Sequence, residues 1–154
     1  MRNTWIRRIS AIRKDGVESA INLTCGLNCI IGASNTGKTR IAKTVEFACG
    51  GKELPFTDKT AYEIAQVTFV TNGGEVSLSR SIHVQNTIHV KSSNPMIVPG
   101  SYSVSSRAGK SINTVLLALL GVESTRRIAT NETYHTVAFT WNAIRHLRLS
   151  PRTK

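Results

Sequence analysis

The fold of this chain is organised around residues 32–39, which read Gly32-Ala33-Ser34-Asn35-Thr36-Gly37-Lys38-Thr39. The stretch fits the pattern G-x-x-x-x-G-K-[ST] at every fixed position. Residues 28–31 before it carry an apolar run that predicts a strand, and residues 40–49 after it space their apolar side chains as a helix does. A loop between a strand and a helix is the context in which this pattern forms a phosphate-binding loop.

Such a loop favours an anion, because its backbone N–H groups and the positive end of the following helix face the same point. The pattern assigns Lys38 to the β- and γ-phosphates of a nucleoside triphosphate and the Thr39 hydroxyl to Mg²⁺. We therefore predict ATP and Mg²⁺ as cofactors, Lys38 and Thr39 as catalytic residues, and Thr39 as the metal ligand. The predicted cofactor-binding residues are Gly32, Ala33, Ser34, Asn35, Thr36, Gly37, Lys38, Thr39 and Arg40.

One position inside the loop is unusual. Asn35 stands where the backbone must bend sharply, and Asn tolerates a left-handed conformation better than most non-glycine residues. We therefore expect the loop to form.

A second stretch matches the pattern only in part. Ala108-Gly109-Lys110-Ser111 resembles the end of the pattern, but its first glycine would have to stand at position 104, which is Val104.

Length and composition narrow the class of protein. A chain of 154 residues suits one domain with a real core, and it has no apolar run of the ~20 residues that a membrane span needs. No signal peptide is seen at the start of the sequence. Three cysteines, an odd number, favour a reducing cytoplasm. None has zinc-ligand spacing, so we expect buried thiols.

The charge is strongly basic, with 20 Lys and Arg against 9 Asp and Glu and a formal net charge of +11. Two explanations stay open. The excess suggests a polyanionic partner, most plausibly DNA or another nucleic acid. Alternatively, an acidic part of the protein is absent from this chain. The basic residues cluster near both ends: Arg2, Arg7, Arg8, Arg13, Lys14, Arg126, Arg127, Arg145, Arg148, Arg152 and Lys154.

The rest of the chain predicts a sheet with two further helices. Strands are expected at 4–13 and 20–24, joined by a turn at 14–16. Asn72-Gly73 predicts a hairpin that places Phe69 opposite Val76. A second hairpin is expected to place Ile82 opposite Val90 and two solvent-side histidines, His83 and His89, opposite each other.

The remaining segments alternate between loop and regular structure. Residues 91–110 are predicted to be a mobile loop. A helix capped by Ser111 is expected at 111–120, strand or irregular structure at 127–139, and a last helix at 141–149. The predicted fold class is α/β: the N-terminal lobe of a P-loop NTPase, with a mixed β-sheet, an antiparallel β meander and flanking helices.

The sequence around the loop resembles the SMC, RecF and RecN group of ABC-type ATPases. In that group a G-L-N-x-I-x-G stretch leads into the phosphate loop, as Gly26-Leu27-Asn28-Cys29-Ile30-Ile31-Gly32 does here. The segment Lys38-Thr39-Arg40-Ile41-Ala42 and the exit at Gly50-Gly51 are also similar, and the close resemblance covers about residues 23–51. It implies an ATPase head that acts on DNA in repair, chromosome maintenance or phage defence, and that dimerises with ATP.

The sequence departs from the family in two respects. The family usually has Asn-Gly where this chain has Ser34-Asn35. No apolar strand ending in an acidic pair (Walker B) and no Leu-Ser-Gly-Gly signature follows residue 51. In the family these elements lie in a C-terminal lobe. Residues 1–154 are therefore expected to form a single incomplete head that binds ATP without efficient turnover and that needs a C-terminal lobe or a second head.

Two other functions remain open from the sequence. A nucleotide-gated DNA-binding module would bind ATP and DNA without hydrolysis. A small P-loop kinase would share the loop, but such kinases carry a lid and an acceptor site after the first helix, where this chain predicts a meander.

Overall fold

The computed structural model describes residues 4–57, 60–105 and 108–122, and beyond them the backbone of two further strands. The helices are α1 (Lys38–Ala48) and α2 (Ile112–Leu120). The strands are β1 (Trp5–Arg13), β2 (Glu18–Asn22), β3 (Tyr62–Thr71), β4 (Gly74–Ser81), β5 (Thr87–Ser92), β6 (Gly100–Ser103), β7 (Thr125–Thr130) and β8 (Thr133–Ala138). No helix within the described ranges is long and apolar enough to cross a membrane.

The first six strands form one sheet in the order β2-β1-β3-β4-β5-β6, and β7 pairs with β8 in a separate hairpin. All of these strands pair antiparallel, and the described residues add one isolated parallel bridge between Ser103 and Ser111. The α/β class and the antiparallel meander are thus confirmed. The strand character expected within 127–139 is confirmed as well.

The core lies on the sheet face that carries both helices. Alternate residues of the strands, among them Val67, Leu78 and Val90, form one buried cluster with Ala48 of α1 and Leu116 of α2. Because successive strand residues point to opposite faces, the intervening residues of β3 and β4 lie on the other, polar face. They include Thr68, Ser77 and Ser79. The sheet therefore buries one face and leaves the other partly open.

The hairpin at Asn72-Gly73 has the predicted register. Phe69 pairs with Val76, and Val67 pairs with Leu78. The next register was predicted wrongly, because β4 ends at Ser81 and Val90 pairs with Leu78 instead of Ile82. His89 accordingly pairs with Ser79 and not with His83.

The longer turn between β4 and β5 is held by side chains. Arg80 Nε donates to the Gln85 carbonyl oxygen at 2.8 Å, and Gln85 Nε2 donates to the Ile82 carbonyl oxygen at 2.9 Å. These bonds fold residues 82–86 into a loop and stop the ladder. The two histidines lie exposed and apart: His83 approaches Glu63, whereas His89 Nδ1 lies 3.0 Å from Ser101 Oγ.

Two other segments differ from the prediction. The strand expected at 28–31 does not form, and these residues join no sheet. Residues 91–110, expected to be a loop, contain the end of β5 and all of β6, and they place Ile97 and Tyr102 in the core. The last helix, predicted at 141–149, lies outside the described residues.

The ends of α2 follow the sequence closely. The Ser111 side chain accepts a hydrogen bond from the Asn113 N–H at 3.3 Å, and Gly121 stops the helix in a left-handed conformation with φ 67°. The Ser111 N-cap is the one expected, and a left-handed glycine is a common end for a helix. Val115, Leu116, Leu117 and Leu119 are buried, whereas Leu120 is only partly buried.

Candidate functional site

The candidate site lies at the N-terminus of α1. The residue that caps the helix is Gly37, with φ 87° and ψ 7°, and it supplies no side-chain hydrogen bond. The first turn of α1 contains no acidic residue. The first N–H groups of a helix have no partner within the helix, and the helix dipole makes this end positive. This terminus is therefore suited to receive an anion.

The loop reaches the helix through two left-handed residues, Asn35 with φ 63° and Gly37 with φ 87°. A left-handed conformation suits Gly and is tolerated by Asn, because the short polar side chain suffers little steric conflict. The expectation that Asn35 would adopt this conformation is confirmed. The sharp bend therefore forms despite the Ser34-Asn35 departure from the family pattern.

The ammonium group of Lys38 lies inside the loop. Its Nζ donates to the carbonyl oxygens of Gly32, at 2.8 Å, and Ala33, and lies 3.2 Å from Thr36 Oγ1. Thr36 Oγ1 in turn donates to the Ala33 carbonyl oxygen at 2.8 Å. The chain thus folds around its own lysine, which places a positive charge at the centre of the loop.

An open cleft of about 820 Å³ lies over this loop and is lined by residues 34–40. Together with the Gly32 and Ala33 carbonyls, the structure brings all nine predicted cofactor-binding residues to one place. Thr39 and Arg40 are exposed at the start of α1. The lining contains two cationic side chains, Lys38 and Arg40, and no acidic one. Such a surface suits a polyanionic ligand.

The segment that leads into the loop has an unexpected exposure. Leu27 is 98% exposed and Ile31 is 89% exposed. The Asn28 side chain folds the preceding residues into a turn by accepting from the Thr24 N–H and donating to the Thr24 and Gly26 carbonyl oxygens. Residues 27–31, which we call the apolar segment, form no backbone hydrogen bond to another described residue.

The three cysteines are free, but they differ in exposure. Cys25 and Cys29 lie on either side of Gly26, Leu27 and Asn28, and both are exposed. This contradicts the expectation that all three thiols are buried. Cys49 is buried beside the core, and this burial raises the pKa of its thiol to about 12. The prediction failed where it assumed that residues 28–31 would be covered as a strand.

A buried arginine binds the C-terminal end of α1, and no role was predicted for it from the sequence. Arg80 is 3% exposed, and its Nη1 donates to the carbonyl oxygens of Phe47 and Gly51. Burial lowers the pKa of its guanidinium to about 10. Position 80 continues the alternation of the buried residues Val76 and Leu78. One sequence signal could have identified this buried arginine: a charged residue at a position that the strand alternation places in the core.

The basic residues of β1 have acidic partners. Arg7 pairs with Glu75, Arg8 lies 2.8 Å from Glu18, and Arg13 lies 3.4 Å from Asp15. The Arg8 guanidinium holds the pKa of the Glu18 carboxyl below its usual range. The N-terminal cluster is therefore partly neutralised within the chain. The side chains of the C-terminal cluster lie outside the described residues.

Comparison with known proteins gives little. No protein-family model and no curated protein matches the chain. One solved structure that it resembles comes from work on the structural biochemistry of ATP-driven dimerization and DNA-stimulated activation of SMC ATPases. The two chains are 12% identical, the superposition covers 96% of this chain and 93% of that chain, and the TM-score is 0.49. A similarity of this size carries no weight for function.

Proposed function

We propose that this chain binds a nucleoside triphosphate, ATP by resemblance, as the nucleotide-binding lobe of an SMC-like ATPase. The arrangement of residues 32–40 carries the proposal. The uncapped N-terminus of α1 and the Lys38 ammonium face the cleft that residues 34–40 line. Triphosphate oxygens would replace the loop carbonyls as partners of Lys38, with the helix N–H groups and Arg40 adding charge complementarity.

Mg²⁺ fits this donor set only in part. The Thr39 hydroxyl stands at the first turn of α1, where it would bind the ion together with phosphate oxygens and water. When bound, the ion would neutralise charge on the β- and γ-phosphates. Hydrolysis also needs an acidic metal ligand and a group that orients water, and the cleft lining contains no acidic residue. We therefore propose ATP binding with little turnover by this chain alone.

We propose that a C-terminal ATPase lobe or a second head supplies the missing groups. Leu27 and Ile31 are exposed, and the backbone of residues 27–31 forms no hydrogen bond to the backbone of another described residue; both observations support this proposal. An extended apolar segment with free N–H and C=O groups can add to the edge of another chain's sheet. The contact would lie directly before the phosphate loop and would bring the partner's residues close to the nucleotide.

DNA is the second proposed partner, and a reducing cytoplasm is the proposed compartment. The net charge of +11 supports the first, and three free cysteines support the second. A nucleotide-gated DNA-binding module remains the alternative, since the cleft combines a helix N-terminus and two cationic side chains with no acidic residue in its lining. Phosphate release after addition of the partner lobe distinguishes the two functions, because the ATPase would release phosphate and the binding module would not.

Binding of ATP to matched lysine variants tests the proposal. Lys38→Ala removes the loop cation, whereas Lys110→Ala removes the lysine of the imitation motif, which lies 4.8 Å from the Tyr102 ring centre. We expect titration calorimetry to show that Lys38→Ala weakens ATP binding by about 50-fold or more and that Lys110→Ala leaves it unchanged, since hydrogen bonds to charged groups contribute about 1.5–3 kcal/mol each. Equal effects of the two substitutions, or no ATP binding by the unaltered chain, would refute the proposal.

A further inference from the structure

A second cavity, of about 330 Å³, adjoins the phosphate loop. It shares Thr36, Gly37 and Arg40 with the lining of the cleft over the loop. One wall is the inner face of β1 and β2, and the opposite wall is the first turns of α1, including Ile41 and Thr44. A ligand held by its phosphates at the loop could therefore extend into this cavity without leaving the protein surface.

The cavity has the chemistry of a site for a flat aromatic group. Ile9 and Ile21 make its sheet wall apolar, and Phe56 and Tyr62 close one side. The two aromatic rings lie with their centroids 5.1 Å apart, tilted by 41°. Small-molecule sites are mostly apolar, have volumes of about 300–1,000 Å³, and contain a few polar groups that fix orientation.

One pair of hydroxyl groups supplies such polarity. Ser19 Oγ lies 2.8 Å from the Tyr62 hydroxyl, and either oxygen can be the donor. Each hydroxyl has one hydrogen and two acceptor lone pairs. Their mutual hydrogen bond uses one of the two hydrogens, so the other remains for an acceptor atom in the cavity. Thr44 differs, because its hydroxyl already donates to the Arg40 carbonyl oxygen at 2.7 Å.

We propose that this cavity holds the base of the bound nucleoside triphosphate, with the Ser19–Tyr62 hydroxyl pair donating to an acceptor nitrogen at the base edge. The proposal rests on the proposed function, because the phosphates must be anchored at residues 32–40 for the base to reach Tyr62. It adds a set of specificity residues on β2, on β3 and in the loop before β3. These residues would contribute to the affinity for the whole nucleotide and not to the affinity for the phosphates alone.

Two probes separate the base from the phosphates: ATP and inorganic tripolyphosphate, each titrated calorimetrically into the full chain. ATP is expected to bind more tightly than tripolyphosphate. Tyr62→Phe keeps the ring and removes one hydroxyl, so it should weaken ATP binding by about threefold to tenfold and leave tripolyphosphate binding unchanged. Ser19→Ala should act in the same way, and thermal unfolding should show that both variants stay folded.

The outcomes distinguish the two proposals. Equal affinity for ATP and tripolyphosphate, unchanged ATP binding in both variants, or a parallel loss of both ligands would overturn the base site and leave the phosphate loop intact. Failure of both ligands to bind, or binding insensitive to Lys38→Ala, would overturn the proposed function and the base site with it.

A photoreactive nucleotide provides a second, independent measurement. 8-Azido-ATP carries its reactive group on the base, and trypsin cleavage after Lys59 and Arg80 gives a fragment of residues 60–80 that contains Tyr62. Labelling of this fragment that excess ATP suppresses would support the assignment. Labelling confined to fragments that contribute no residue to the cavity would overturn it.

Discussion

The guanidinium carbon of Arg80 lies 4.0 Å from the centre of the Phe47 ring, and Arg80 Nη1 donates to the Phe47 carbonyl oxygen at 2.6 Å. The side chain thereby joins strand β4 to the C-terminal end of α1, where the carbonyl oxygens and the helix dipole favour a cation. Among the described residues, its hydrogen-bond acceptors are all carbonyl oxygens. The charge is therefore stabilised by the helix end and by the aromatic face, as cation–π contacts are.

Arg80→Met is expected to destabilise the chain by roughly 2–4 kcal/mol. The substitution keeps an apolar stem but removes the guanidinium donor from the carbonyl oxygens of Phe47, Gly51 and Gln85. Of these three, the Phe47 oxygen still accepts from the Gly50 N–H at 3.0 Å. Urea unfolding followed by circular dichroism measures the loss. Arg13→Met, at an exposed pair with Asp15, is the matched control and should change little. A loss below about 1 kcal/mol for Arg80→Met would show that the helix end finds other donors.

The left-handed backbone at Asn35 predicts a contrast between two substitutions. Asn35→Gly keeps φ near 63° accessible, so ATP affinity should stay within about twofold. Asn35→Val forces a β-branched residue into a conformation that costs about 1–3 kcal/mol, so ATP affinity should fall about tenfold or more. Calorimetric titration of both variants checks this. An equal loss in Asn35→Gly would instead mean that the amide side chain itself contacts the nucleotide.

The cysteines predict a labelling pattern. A maleimide added to the native chain should modify Cys25 and Cys29, which are exposed, and spare Cys49, which is buried and has a pKa raised to about 12. Intact-mass measurement should show two adducts in native buffer and a third in urea. Cys49→Ala should give the same two native adducts. Three adducts on the folded chain would contradict the burial of Cys49.

The Arg8–Glu18 pair predicts a small acid-dependent term in stability. The Glu18 pKa is lowered in the folded state, chiefly by Arg8, so the contribution is present above the ordinary Glu pKa and is lost as the pH falls through the folded value. Because both side chains are exposed, the effect should be small. Urea unfolding between pH 7 and pH 3 should show a slightly flatter pH dependence for Glu18→Gln than for the unaltered chain. A steeper dependence would be evidence against this pairing.

Turn and capping residues in the sequence predicted the first hairpin and the ends of α2, because contacts between residues close in sequence determine these parts. The Asn72-Gly73 turn and the alternation of apolar residues on either side specify one register, because any one-residue shift would expose Val67 and Leu78. Ser111 and Gly121 likewise specify the ends of α2. At the candidate site, the pattern of residues 32–39 was sufficient to locate the loop, its left-handed Asn35 and the helix that follows.

Non-local contacts explain what the sequence did not predict. The turn between β4 and β5 depends on Arg80, whose other acceptors lie on Phe47 and Gly51, far away in sequence. Residues 28–31 have the composition of a buried strand but pair with no strand among the described residues. Apolar composition indicates that a segment is suited to a sheet, whereas pairing requires a second strand.

The exposure of Leu27 and Ile31 also has a consequence for the behaviour of the purified protein. Free backbone groups beside apolar side chains promote association between copies. The net charge of +11 opposes it, because like-charged molecules repel over a Debye length of about 10 Å at 0.1 M salt and about 3 Å at 1 M. Added salt should therefore promote aggregation of this basic protein. Low ionic strength should keep it monodisperse, as dynamic light scattering across a salt series would show.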